Sequence, residues 1–88
     1  MEEKRWSVEI VIDEFEGKTR AEAKLKADGG GDHRGIGLAR LNPIDSDVPK
    51  IGDELAAARA LSDLAHQLIE ATASDIENST KERAHLKG

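Results

Sequence analysis

Two segments of alternating character, joined by a single glycine-containing turn, constrain the fold of this chain more than any other feature. Residues 6–13 put Trp6, Val8, Ile10 and Ile12 on one face and Ser7, Glu9, Val11 and Asp13 on the other. Residues 18–26 put Ala21, Ala23 and Leu25 on one face and Lys18, Arg20, Glu22, Lys24 and Lys26 on the opposite one. A period of two over this length is the signature of a half-buried strand. The strands meet around Glu16-Gly17, where glycine supplies the positive φ of a tight hairpin turn. If Phe15 pairs with Lys18, Asp13 lies opposite Arg20 and Glu9 opposite Lys24, while Val8 meets Leu25 and Ile10 meets Ala23. One register then satisfies both faces, with ion pairs outside and apolar pairs inside. Trp6, on the apolar face, is expected to anchor the core.

The segment 28–35, Asp-Gly-Gly-Gly-Asp-His-Arg-Gly, reads as a second hairpin loop, followed by a third strand at 36–41. Ile36 and Leu38 share one face of that strand, and Gly37, Ala39 and Leu41 share the other. Both faces look fit for burial, which is unusual with only one helix to cover them. Asn42-Pro43 ends the strand, since proline cannot donate to the ladder. A loop bracketed by Pro43 and Pro49 then leads to Gly52. A helix is expected from Asp53, whose carboxylate and that of Glu54 suit the positive end of the helix dipole. Its apolar stripe is Leu55, Ala58, Leu61, Leu64, Ala65, Leu68, Thr72 and Ile76, at three- and four-residue spacing. Ending near Asn78, it would be roughly 38 Å long, against a sheet roughly 15 Å wide. The expected architecture is therefore α+β: a three-stranded antiparallel sheet followed by one long helix that overhangs it. We expect one domain over residues 1–88, with an ordered core at about 5–78 and a polar, frayed tail at 79–88.

Eighty-eight residues bury a modest core, and with no cysteine there is neither a disulfide nor a thiolate nucleophile. Nothing at the N-terminus reads as a signal peptide, and no stretch approaches the apolar length of a membrane span. A cytoplasmic location is the expectation. Charge is high and mixed, with 13 basic and 18 acidic residues and a net charge of −5. Nucleic-acid binders are usually net basic, because phosphate neutralisation supplies most of their affinity. The local exception is the stripe Lys18, Arg20, Lys24 and Lys26, which Arg34 and Arg40 extend; these six form the candidate partner surface. Glu9 and Asp13 are expected to face and neutralise part of it, and with Trp6 and Phe15 as the only aromatics it offers little for base stacking.

The chemistry-bearing residues point away from catalysis. His33, His66 and His85 have no partner at a metal-ligand spacing, and His66 with Glu70 reads as an i,i+4 surface pair. The serines lack a nucleophile-elbow context. Asp45-Ser46-Asp47 reads as a turn held by side-chain-to-backbone bonds rather than a calcium loop. The glycines at 29–31 and 35–37 precede a strand, not the helix start that a phosphate loop needs. No cofactor, metal, small-molecule substrate or enzyme activity is expected.

Several segments together carry a resemblance: Trp6-Ser-Val-Glu-Ile-Val-Ile-Asp-Glu-Phe-Glu-Gly17, Thr19-Arg20-Ala21, Gly35-Ile-Gly-Leu-Ala-Arg-Leu-Asn-Pro43, Val48-Pro-Lys-Ile-Gly-Asp-Glu-Leu55 and Ala58-Arg-Ala-Leu-Ser-Asp-Leu64. Over about residues 6–77 the chain resembles a family of small actinobacterial proteins of unknown function with a double-stranded-RNA-binding-domain-like fold. Mycobacterial members of that family are associated with the dormancy, or hypoxia, regulon. The resemblance implies a β-β-β-α core without the first helix of true double-stranded-RNA-binding domains, a homodimer, and a likeness to ribosome hibernation factors. It also carries a departure. Such domains place a lysine cluster at the start of the last helix, where this chain has Asp53 and Glu54, which repel phosphate. Two functions follow as expectations. One is a non-catalytic stress- or dormancy-associated accessory protein that contacts the ribosome or RNA. The other is a homodimeric protein-interaction module with no nucleic-acid partner. Arg40 and Arg59 fit either a structural role, pairing with Glu54 or Asp63, or a partner surface.

Overall fold

A computed structural model of the chain describes residues 2–28, 32–40 and 49–87, with side chains described as far as Thr80. Strands β1 (Ser7–Phe15), β2 (Lys18–Lys26) and β3 (His33–Arg40) precede one helix, α1 (Pro49–Lys87). The sheet is antiparallel in the order β1-β2-β3. This is the expected α+β architecture. The first hairpin has the register read from the alternation, with Phe15 opposite Lys18, Asp13 opposite Arg20, Glu9 opposite Lys24 and Ile10 opposite Ala23. Its turn holds both Glu16 (φ 49°) and Gly17 (φ 73°) in the left-handed region. Two positive φ values give the backbone twist that a two-residue hairpin needs.

Three boundaries differ from the sequence reading. β3 begins at His33, so His33, Arg34 and Gly35 are strand rather than loop. α1 begins at Pro49, four residues before Asp53, because proline has no N–H to lose in a first helical turn and its φ already suits the helix. α1 also continues to Lys87, through the stretch expected to fray. Residues 79–87 contain no glycine or proline and are rich in Lys, Glu, Arg, Ala and Leu, which favour helix. Thirty-nine helical residues span roughly 58 Å, which accounts for the 63 Å long axis of the molecule. The loop expected at the triple glycine, and those at Asn42-Pro43 and Asp45-Ser46-Asp47, lie outside the described residues.

The helix seats itself on the sheet through only part of the expected stripe, Leu64 and Leu68, joined by small residues that the stripe did not include. Its buried positions are Gly52, Ala56, Ala60 and Leu64, four residues apart, with Leu68 partly buried after them. Leu55, Leu61 and Ile76 are exposed instead. The reason lies in β3. Gly35, Gly37 and Ala39 face the helix. A Cβ on Gly35 would overlap the backbone of Ala60 and Leu64, and one on Gly37 the backbone of Ala56 and Ala60. Helix backbone therefore rests directly on strand backbone, and only small side chains fit the seam.

The core is correspondingly slight: Ala21, Ala23, Leu25, Ala39, Ala56, Ala60 and Leu64. Five of these seven are alanine, and alanine removes little apolar surface from water. Thr19 is the one buried polar side chain among the described residues, and its hydroxyl has no hydrogen-bond partner there.

Candidate functional site

α1 packs over β3 and β2 and barely reaches β1. Every residue of β1 is consequently exposed. Val8, Ile10 and Ile12 point to the same side of the sheet as the helix, yet Ile10, the best covered, is still 37% exposed. Trp6 is 56% exposed, which corrects its expected place in the core. It lies at the mouth of an open cleft of about 290 Å³ with His33, Leu68, Thr72 and Asp75. The large apolar side chains of this chain are thus mostly outside, and its alanines inside. Scattered exposed leucines need no explanation, but a contiguous apolar face does.

The opposite face of the sheet carries the basic residues singled out in the sequence. Lys18, Arg20, Lys24 and Lys26 on β2, with Arg34 and Arg40 on β3, all share it, and the fold does bring them together. Lys18 lies directly opposite Arg40, and Lys24 opposite Arg34. Like charges opposed across a ladder repel. The acid that relieves this is Glu22, rather than the expected Glu9 and Asp13. Its carboxylate, with a side chain only 16% exposed, receives Arg20 at 3.3 Å, Arg34 at 3.6 Å and Lys24 at 3.8 Å. Lys18, Arg40 and Arg59 instead border one cleft beside Leu38 and Ala39. Ile36 and Leu38 also lie on this face, exposed among the cations.

Arg59 and Asp63 have a role that the sequence did not disclose. The Arg59 guanidinium donates to the Leu38 carbonyl oxygen at 2.7 Å. The Asp63 carboxylate accepts from the Ile36 N–H at 2.9 Å and from Gln67 Nε2 at 3.2 Å. Both strand groups lie on the edge of β3 away from β2. Two helix side chains therefore occupy the hydrogen-bonding groups that an edge strand would offer to another chain. Of the two roles open to Arg59, the structural one is seen, made through the Leu38 carbonyl oxygen rather than through Glu54 or Asp63. The i,i+4 spacing of Arg59 and Asp63 on one helix flank was visible in the sequence, but their target was not.

His66 pairs with Glu70 at 3.1 Å on the exposed side of the helix, as its spacing indicated. Among the described residues no three acidic or histidine side chains are grouped to hold a metal ion, and no helix there is long and apolar enough to cross a membrane.

A model of Rv2632c-like proteins matches residues 4–85. The chain belongs to the Rv2632c-like family. Rv2632c of Mycobacterium tuberculosis, an uncharacterized protein, is 53% identical over 77 residues, covering 88% of this chain and 82% of its own length. Mb1767 of Mycobacterium bovis, likewise uncharacterized, is 52% identical over 81 residues, covering 92% and 85%. The crystal structure of Rv2632c superposes with a TM-score of 0.82 at 51% identity, covering 91% of this chain and 94% of that one. The resemblance to an actinobacterial family of unknown function thus holds. As a member of the Rv2632c-like family, the chain shares the three-stranded sheet and long helix with its structural neighbour.

Proposed function

We propose that this chain is a non-catalytic protein-interaction module that works as a homodimer in the cytoplasm. One observation carries the reading: large aliphatic side chains of β1 lie open on the helix side of the sheet, while the core they border is mostly alanine. A core of that composition supplies little stability by itself. Burial of Val8, Ile10 and Ile12 against a second chain adds the missing apolar contacts. Light scattering coupled to gel filtration, at micromolar concentration, is expected to give twice the 9.5 kDa chain mass. A single-chain mass from micromolar to submillimolar concentration would sink the reading.

A second reading has its own observation. The cleft bordered by Lys18, Arg40 and Arg59 gathers cations that have no ion-pair partner among the described residues. That favours an anionic partner. Joined to the double-stranded-RNA-binding-domain-like fold and dormancy association implied by the family resemblance, it supports a stress-associated accessory protein at the ribosome or on RNA. Under this reading the protein co-sediments with ribosomes at low salt and dissociates at high salt, because phosphate contacts release counterions. Charge reversal of Lys18 and Arg40, the cleft cations that make no structural bond among the described residues, removes the association. Absence from ribosomal fractions at low salt would leave only the first reading.

A further inference from the structure

The homodimer reading draws on the helix side of the sheet and leaves the other face unused. Strand parity orders that face. Along β3 it presents Arg34, Ile36, Leu38 and Arg40 in turn, two aliphatic side chains between two cations. Along β2, Lys24 stands opposite Arg34 and Lys18 opposite Arg40. Each end of this track therefore carries a pair of cations, and its middle is apolar. Ile36 is exposed and Leu38, at 61%, more so. The two ends are roughly 20 Å apart along the strand. At the Lys18–Arg40 end the surface opens into a cleft of about 300 Å³ beside Leu38.

Charge on this face runs against the charge of the chain. The six cations share it with Glu9, Asp13 and Glu22, which leaves it at +3 on a chain of −5. The carboxylate nearest the track, Glu22, is already enclosed by Arg20, Lys24 and Arg34. Arg34 and Lys24 hold it at 3.6 Å and 3.8 Å and stay exposed themselves, so these are loose pairs that exchange at little cost. Lys18 and Arg40 have no ion-pair partner among the described residues, and their opposition across the ladder is repulsive. Carboxylates brought to that end relieve the repulsion.

We propose that this track docks an acidic amphipathic helix of a partner protein, with apolar side chains on Ile36 and Leu38 and carboxylates on the cation pairs at either end. The inference rests on the protein-interaction reading, extends it to a partner other than a second copy, and does not depend on dimerisation. A helix fits because a sheet face offers side chains and no free backbone groups. An extended segment laid there would leave its own N–H and C=O groups unpaired, whereas a helix satisfies them internally. Ile36 and Leu38 are about 6.7 Å apart along the strand, close to the roughly 6 Å between residues four apart on a helix. A helix of about fourteen residues spans the distance between the cation pairs.

Other anionic occupants suit the face less well. Single-stranded nucleic acid needs rings on which bases stack, and the ring that the described residues place on this face is Phe15, on β1. A duplex takes its affinity from phosphate contacts and gains nothing from Ile36 and Leu38. An anionic bilayer would meet Glu9 and Asp13 across the β1 side of the face. A protein helix uses both the apolar middle and the charged ends.

The test uses the intact protein and a labelled synthetic helical peptide of about fourteen residues, with two glutamates in each terminal turn and two leucines four apart between them. Fluorescence anisotropy at physiological salt is expected to show binding, weakened at least about tenfold when the peptide leucines become serine. Leu38→Ser is expected to weaken binding at least about fivefold with no loss of fold, since the side chain is exposed and the bond to Arg59 uses the backbone carbonyl. Lys18→Glu with Arg40→Glu is expected to abolish binding, and to regain it with a peptide whose glutamates at one end are lysines. A roughly 20-base-pair RNA duplex or phosphatidylglycerol vesicles that bind more tightly than the peptide, unaffected by Leu38→Ser, would overturn the inference and assign the face to nucleic acid or membrane. Peptide binding that ignores Leu38→Ser, or none up to about 1 mM, would overturn it too. A dimeric mass alongside any of these failures leaves the homodimer standing, and a monomeric mass with peptide binding intact removes the homodimer alone.

Discussion

Gly37→Ala is expected to be among the most damaging single-methyl substitutions in this protein. The added Cβ would overlap the Ala56 carbonyl oxygen and the Ala60 nitrogen, both backbone atoms that no rotamer change can move. Gly37 is not in the left-handed region, so the penalty comes from space alone. The helix must lift from the sheet or β3 must bend, and either loosens a seam that holds most of the core. Overpacking of this kind costs about 3 kcal/mol or more. In a domain this small that corresponds to a fall in Tm of roughly 12 °C or more. Thermal unfolding followed by circular dichroism, at fixed protein concentration because dimerisation would couple to stability, checks it. Gly17→Ala provides the contrast: its φ is 73° but nothing lies within 4 Å of the added atom, so it should lose only about 1 kcal/mol through conformation. Equal melting of the two variants would show that helix and strand do not touch at Gly37.

The second large effect is expected from removing Arg59 and Asp63 together. Each makes a charge-assisted hydrogen bond to the edge of β3, at 2.7 Å and 2.9 Å. Such bonds are worth more than neutral ones, but these are partly exposed to water, so about 1 kcal/mol each is the reasonable scale. Arg59→Ala with Asp63→Ala should therefore destabilise the protein by about 2 kcal/mol. It should also change how the protein fails. With both edges of the sheet open, chains can add at either side, and pairing that closes at a dimer becomes pairing that continues. Light scattering should show species larger than a dimer, growing with concentration. A double variant that is less stable yet stays at the parent mass would mean that the two side chains only brace the helix and do not guard the edge.

Much of the fold was legible in the sequence because local rules dominate in a hairpin. Alternation placed Val8, Ile10 and Ile12 on one face, the Glu16-Gly17 turn set the loop length, and together they leave a single register that suits both faces. The six cations proposed as a surface do share one face, because strand parity requires it. The helix was visible as an element but its orientation was misread. Counting leucines put Leu55, Leu61 and Ile76 on the buried face along with Leu64, whereas the seam takes Leu64 with Gly52, Ala56 and Ala60. The signal was present in the pair Gly35-x-Gly37 and the four-residue spacing of small residues, which together mean close backbone approach. Hydrophobicity counts the residue a helix could bury, not the residue the opposing strand leaves room for.

Charge placement shows the same division. Opposed positions suggested Glu9 and Asp13 as partners of the basic stripe, but Glu22 sits on the central strand, where cations from both its own strand and β3 can reach it. An edge-strand acid has neighbours on one side only. The sequence by itself determined the order of elements, the hairpin register and the sidedness of every strand, since these follow from residue periods and turn chemistry within a few positions. The tertiary structure alone decided that the helix lies over β2 and β3. Two glycines on β3 let the helix backbone come close there and nowhere else. Everything distinctive then follows from that offset: β1 and Trp6 left open, and Arg59 and Asp63 brought to the far edge. An offset between packed layers depends on contacts across long sequence separations, and no local pattern records it.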